Sequence, residues 1–363
     1  LNEGGNVASI PEGGWEALPS SPTLEEATTT WIQFNKRFTV TKIAQYIDEA
    51  QGVRPQIKRQ FKHQGIKAVQ AVAWQYGLYH YGQSTGVIAL VNGAPAANVI
   101  TLDTAYNVSG LASSGSAYDS RYLASLFKVG ERIASLNPTG PALRELMVIT
   151  AVDPDNGTIT VDDDGTTADN DLLVYANSIE NTTLAGGTDY NKGVIGLMEV
   201  LTGASLHGLT HDNWSPAYSD TTSGRFNGQK LQKMKDELAN WAPDGATLDR
   251  LCMDQAVYRD TVAQYQAFVR FDDPHALEIE GDFKSKRVKI KKTRRVPPGL
   301  VAGYWSGAWK RMTLFDTVDS PESFMDGDKL ENQNAMVFMM DYPYQYVTTA
   351  RKAFTYLTNQ QVI

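Results

Sequence analysis

One cysteine, Cys252, occurs in 363 residues, which excludes an internal disulfide and disfavours a cysteine-based metal site. Between Leu251 and Met253 its thiol reads as a small buried hydrophobe. No run of about 18 apolar residues is present, so no membrane-spanning helix and no membrane partner are expected. The opening LNEGGNVASIPEGG has neither the basic patch nor the apolar stretch of a signal peptide, so none is expected. Histidine is scarce, and the one pair at a ligand-like spacing is His207 and His211 in HGLTH. Two histidines four apart can hold zinc when they share a helix. Here Gly208 and Pro216 mark a loop, and the glutamate that H-E-x-x-H chemistry needs is missing. Phosphate-binding loops, dinucleotide fingerprints, nucleophile elbows and kinase motifs are missing too. Spacing alone picks no catalytic pair from the 41 acidic residues. These absences point to a structural role, with no cofactor and no metal.

What is present is uneven charge. The formal net charge is −8, yet residues 145–191 hold ten acids and no Lys or Arg, which leaves 31 acids against 33 bases elsewhere. One region therefore carries the acidity of a nearly neutral body. Its triplet Asp162–Asp164 lacks the spacing of a calcium loop and reads as a solvated turn. Residues 1–30 hold five acids, Glu3, Glu12, Glu16, Glu25 and Glu26, and no base. Rich in Gly, Pro, Ser and Thr, this stretch cannot bury enough surface to fold alone. It reads as an arm ordered against something else, with Trp15 and Trp31 as anchors. The opposite bias lies at 284–295, KSKRVKIKKTRR, with eight bases and no acid. In a strand, Val288 and Ile290 would face one way and Arg287, Lys289 and Lys291 the other. Such a strip suits an acidic protein surface, and a solvated strand face is the plainer alternative. Its few interleaved aromatics argue against nucleic acid.

The pattern of elements is mixed. RPQIKRQFKHQGIKAVQAVAWQYGLYHYGQ, 54–83, has apolar residues at helical spacing and Pro55 at a helix start, which predicts a helix of about 42 Å. Gly65 and Gly77 weaken it by roughly 1 kcal/mol each. Val87–Val91 reads as a strand closed by Asn92-Gly93. Residues 99–180 read as β throughout, with a hairpin of Met147–Val152 and Thr158–Asp162 around Pro154-Asp155-Asn156-Gly157. Further on come an amphipathic helix at 227–241, with Leu231, Met234, Leu238 and Trp241 on one face, a strand at Thr247–Met253, and a helix over 255–268 capped by Asp254. A hairpin over 276–296 with its turn at Glu280-Gly281-Asp282 follows, and an aromatic-rich end closes the chain.

In order, the parts are a polar arm, a long helix, a β insertion of the form FKVGERI…VITAVDPDNGTITVDD, an α/β unit, and a KRVKIKK strand leading into VPPGLVAGYWSGAW. This order resembles the major capsid proteins of tailed bacteriophages with the Hong Kong 97-like fold, in architecture and over most of the chain. The resemblance implies an α+β chain: 1–30 the N-terminal arm, 31–53 the extended loop region, 54–98 the spine helix and peripheral domain, 99–185 an inserted antiparallel β domain, 186–303 the axial domain with its basic strand, and 304–363 a return to the peripheral domain. It implies a non-enzymatic homo-oligomer, pentamers and hexamers in a shell, assembled in the host cytoplasm and found in the virion capsid. Packaged double-stranded DNA would be enclosed without sequence-specific binding, and scaffold, portal or decoration proteins are the partners implied. The start at Leu1, with no initiator Met, agrees with the maturation cleavage that some members undergo. The expected inter-subunit contacts are Trp15, Glu25 and Glu26 of the arm and Arg287, Lys289 and Lys291 of the strip. Two other readings are an encapsulin-like compartment shell and a metal-dependent hydrolase using His207 and His211.

Overall fold

The computed structural model describes residues 28–29, 32–41, 66–103 (save 68, 69, 72 and 76), 122–139, 141–176, 188–266 (save 204, 210–213 and 244), 284–285, 288–313 (save 294), 328–329 and 335–360. The chain is α+β, and its described residues form three sheets with helices packed on them. Along it run β1 (Ile32–Thr41), β2 (Val87–Leu90), β3 (Val99–Thr101), β4 (Arg132–Leu136), β5 (Leu143–Asp153), β6 (Thr158–Val161), β7 (Leu172–Tyr175), α1 (Leu197–Thr202), β8 (Tyr218–Asp220), α2 (Gly228–Trp241), β9 (Arg250–Met253), α3 (Gln255–Gln266), β10 (Lys284–Ser285), β11 (Val288–Lys292), β12 (Val301–Tyr304), β13 (Trp309–Thr313), β14 (Asp328–Lys329), β15 (Ala335–Thr348) and β16 (Phe354–Leu357). The described residues from 66 to 81 are helical; the rest of the long helix expected over 54–83 lies outside the described residues.

The β insertion is a barrel. Its strands run β2-β7-β4-β5-β6-β3, and an antiparallel bridge between Val91 and Leu102 joins the last strand back to the first. Closure removes the free edges that an open sheet would leave. Ile88, Ile100, Leu102, Ile133, Met147, Ile149, Ile159 and Leu173 fill the interior, together with Leu123, Leu126 and Phe127 from the segment between β3 and β4. Since β2 belongs to it, the barrel begins earlier than the expected boundary at 99. Several of its acids accept from backbone amides. Asp162 accepts from the Val148 amide, Asp163 from Gly165, Asp164 from Asn98 and Asp169 from Gly93. Asn156 and its backbone hold the Asp153 carboxyl below the usual range. Asp163, and Asp153 with the Asp155 amide, close local Asx-type turns, whereas Asp162, Asp164 and Asp169 accept from amides distant in sequence.

The second body is a six-stranded mixed sheet, β10-β11-β9-β12-β16-β8. One face packs against α2 and α3 through Leu231, Met234, Leu238, Val257, Leu251, Met253, Val288, Ile290 and Val301. The other face, with Cys252, Ala302 and Phe354, lies under α1 and Tyr81. Asn227 caps α2 by accepting from the Lys230 amide, and Asp254 opens α3 by accepting from Ala256. Trp241 departs from expectation: it lies on the apolar stripe of α2 by spacing, yet is 60% exposed, because α2 ends there and its indole turns to Glu237.

The third sheet is built on β15, 14 residues long, which pairs with β1 over Ile32–Thr41, with β13 at Tyr344–Thr348 and with β14 at two positions. The chain after 304 is thus shared: β13 and β15 lie in this sheet, whereas β16 returns to the sheet of β9 and β12.

The helical stretch is a wall between barrel and six-stranded sheet. Leu78 joins the barrel core, and Gln75 and Tyr79 donate to the Asp189 carboxylate. Tyr81 joins the core under the sheet, and His80 meets Tyr346 and Trp309. Farther along, Arg351 is buried and gives three hydrogen bonds, to the carbonyls of Val200 (2.6 Å), Gly203 (2.6 Å) and Trp214 (3.0 Å). The guanidinium thereby satisfies carbonyls that the C-terminal end of α1 leaves open, where a cation is also favoured by the helix dipole. Replacing Arg351 by Leu strands these acceptors, and a loss of at least ~3 kcal/mol is expected. Arg351→Lys recovers only part of it, since an ammonium cannot span three carbonyls. Urea midpoints of the two variants against the parent check this.

Candidate subunit-contact surface

β11 shows the alternation that its sequence suggests: Val288 and Ile290 are buried, Lys289, Lys291 and Lys292 exposed. Pairing adds something the sequence does not display. Lys284 of β10 stands opposite Lys289, and Lys289 stands beside Arg250 of β9. Three cations therefore share one register row across neighbouring strands about 4.8 Å apart. The like charges of Lys289 and Arg250, side by side, repel each other. Among the described residues the ion pairs are Arg144 with Asp171 and Arg225 with Asp260, and neither touches this row. Lys292 lies over the Tyr258 ring at 5.0 Å. The turn expected at Glu280-Gly281-Asp282 lies outside the described residues, as do Trp15, Glu25, Glu26 and Arg287.

Behind the strip sits His80. Its Nδ1 lies 2.5 Å from the Tyr346 hydroxyl, and its ring stacks on Trp309 at 4.7 Å. Burial first, and then the charges of Lys291 and Arg295, lower its pKa to about 3, so the imidazole is neutral in the folded chain at ordinary pH.

The HGLTH loop is a structural turn. His207 is buried in the left-handed region (φ 56°), and its Nε2 accepts from the Thr348 amide at 3.1 Å. That lone pair is the one a metal would need. The His207 carbonyl accepts from the amide of Thr28, so the residues just beyond the acidic arm attach to this loop. His211 lies outside the described residues. Among the described residues no group of three or more His, Cys, Asp or Glu could hold a metal ion, and no helix is long and apolar enough to cross a membrane.

Neither a family model nor a curated protein matches the chain. The solved structures that it is similar to include phage capsid and procapsid chains. The satellite phage P4 procapsid including size determination (Sid) protein matches over 100% of this chain and 82% of that one, at 7% identity and a TM-score of 0.41. Gordonia phage Cozz matches over 100% and 80%, at 11% identity and 0.43. The cyanophage A-1(L) capsid asymmetric unit matches over 51% of this chain, at 12% identity and 0.35, and the match spans 62% of that chain's length. All three TM-scores lie below 0.5.

The depressed pKa of His80 has a definite sign in stability. An unfolded histidine takes up its proton near pH 6.5, the folded one near 3. Acid therefore favours the unfolded chain: the contribution is whole above about pH 6.5 and is lost as pH falls toward 3. Between about pH 6 and 4, the unfolding free energy of the parent is expected to fall up to ~1.4 kcal/mol per pH unit more steeply than that of His80→Phe. Urea titrations of both at several pH values give the difference, in which the other titrating groups cancel.

Proposed function

We propose that this chain is the major capsid protein of a tailed phage. In this reading it has the Hong Kong 97-like fold, and its copies build pentamers and hexamers of an icosahedral shell around double-stranded DNA. It acts as a building block of the virion, without catalysis or cofactor, and meets scaffold, portal or decoration proteins as further partners. The observation that carries the reading is Lys289 beside Arg250, like charges in register on neighbouring strands, which no ion pair among the described residues touches. A second copy can supply a counter-charge. The pairing of β1 with β15 adds support. Among the described residues, β15 over Ala335–Tyr344 has β1 beside it and β14 at two positions. A two-stranded ribbon is marginal in water unless something packs on it.

In this reading the strip of Arg287, Lys289 and Lys291 meets the acidic arm of an adjacent subunit, Glu25 and Glu26, with Trp15 as the anchor. A patch on one copy that fits a different patch on the next makes rings that close and can then tile a shell. Exposed ion pairs contribute only ~0.2–1 kcal/mol each, so such a contact works through repetition and weakens with salt.

Negative-stain microscopy of the purified chain at high concentration is expected to show closed particles that high salt disfavours. Reversing Arg287, Lys289 and Lys291 to Glu should abolish them, and adding Glu25→Lys and Glu26→Lys should restore them. Undiminished particles from the reversed strip would remove the strip from the contact. A parent chain that stays a single molecule at every concentration would overturn the shell itself. DNA protected from nuclease inside the particles separates a genome shell from an encapsulin-like compartment.

A further inference from the structure

One cation of the basic run does not face outward. Arg295 turns inward and lies against Gly77, where any side chain would collide with the guanidinium. The glycine that looks like a flaw in the helix is the seat of this group. From there the guanidinium covers the Trp74 ring at 4.8 Å, while Lys128 of the barrel segment sits over the same ring at 3.7 Å. The Arg295 carbonyl accepts from the hydroxyl of Tyr122, also from the barrel segment, at 2.9 Å. Tyr122 is itself buried and part of the barrel core. Both ends of Arg295, side chain and backbone, are thus held by groups outside the sheet to which β11 belongs.

The local bonds of the turn that follows β11 are long. The Thr293 amide reaches the Met253 carbonyl at 3.3 Å, the Val296 amide reaches the Thr293 carbonyl at 3.3 Å, and the Arg295 amide reaches the Thr293 hydroxyl at 3.3 Å. Sheet and turn bonds usually lie near 2.9–3.0 Å. β11 moreover carries cations beside cations, which favours its departure from the sheet.

We propose that the barrel segment and the helical stretch beside it brace the cationic strand: Tyr122 and the Trp74–Gly77 seat hold Arg295, and Arg295 holds the end of β11 in the sheet. Tyr122, Trp74 and Gly77 are then positioning residues for the exposed lysines. The brace acts within one chain and stands whether or not the chain builds shells.

The test is amide hydrogen exchange on the full chain, read at β11 and the turn after it, with α2 as the internal control. Gly77→Ala expels the guanidinium and Tyr122→Phe removes the backbone contact. Each is expected to speed exchange there roughly five- to tenfold while α2 stays unchanged. In an Arg295→Ala background, Gly77→Ala is expected to add nothing, since Ala is otherwise the better helix former. Unchanged exchange at β11 in both single variants overturns the brace. So does an effect of Gly77→Ala that persists when Arg295 is absent, or one that spreads equally to α2.

Discussion

A sheet covered on both faces must draw apolar cover from two directions, and where that cover stops is decided here strand by strand. In β9, Leu251 and Met253 meet α2 and α3 while Cys252 meets the core under α1, so three successive residues are buried. One strand further out, β11 keeps only the α2 and α3 side, and every second residue is exposed. The limit of the second cover thus falls between β9 and β11, and the cations begin there. Burying Lys289 or Lys291 under α1 would leave an unpaired charge in an apolar setting, a far larger cost than exposure. The surface strip and the core are two results of one constraint.

Part of this is written in the sequence. The alternation in KRVKIKK, the Asn227 cap, and the Pro-Asp-Asn-Gly turn act between residues a few positions apart, and such signals are local. The cation row is not local. It needs Arg250 beside Lys289 across a strand pairing that joins positions 39 apart, and register cannot be read from either segment alone. Trp241 misleads for another reason. Periodicity assigns it to the buried face, but periodicity does not say where the sheet beneath the helix ends. Gly77 misleads in sign: helix propensity counts it as a defect, whereas the space it leaves is filled by a side chain from 218 positions away. The acids of the barrel mislead by number. Several of them accept from backbone amides, most across segments distant in sequence, so negative charge there follows partly from backbone geometry, not only from repulsion of a partner.

The same distinction bears on the strip. A count of bases over 284–295 gives eight, but the structure divides them by use. Arg295 is engaged with Trp74 and seated on Gly77, and Lys292 lies over Tyr258. Among the described residues Lys289, Lys291 and Lys292 are exposed, with Arg250 in register beside Lys289. Charges gathered in a fixed row select a partner more sharply than the same number on a loose loop, because fewer side chains and less backbone have to be ordered when the partner arrives. A contact that is weak per copy gains most from such ordering in advance. Its modest attraction is then not spent on fixing the strand, and repetition over many copies can do the rest.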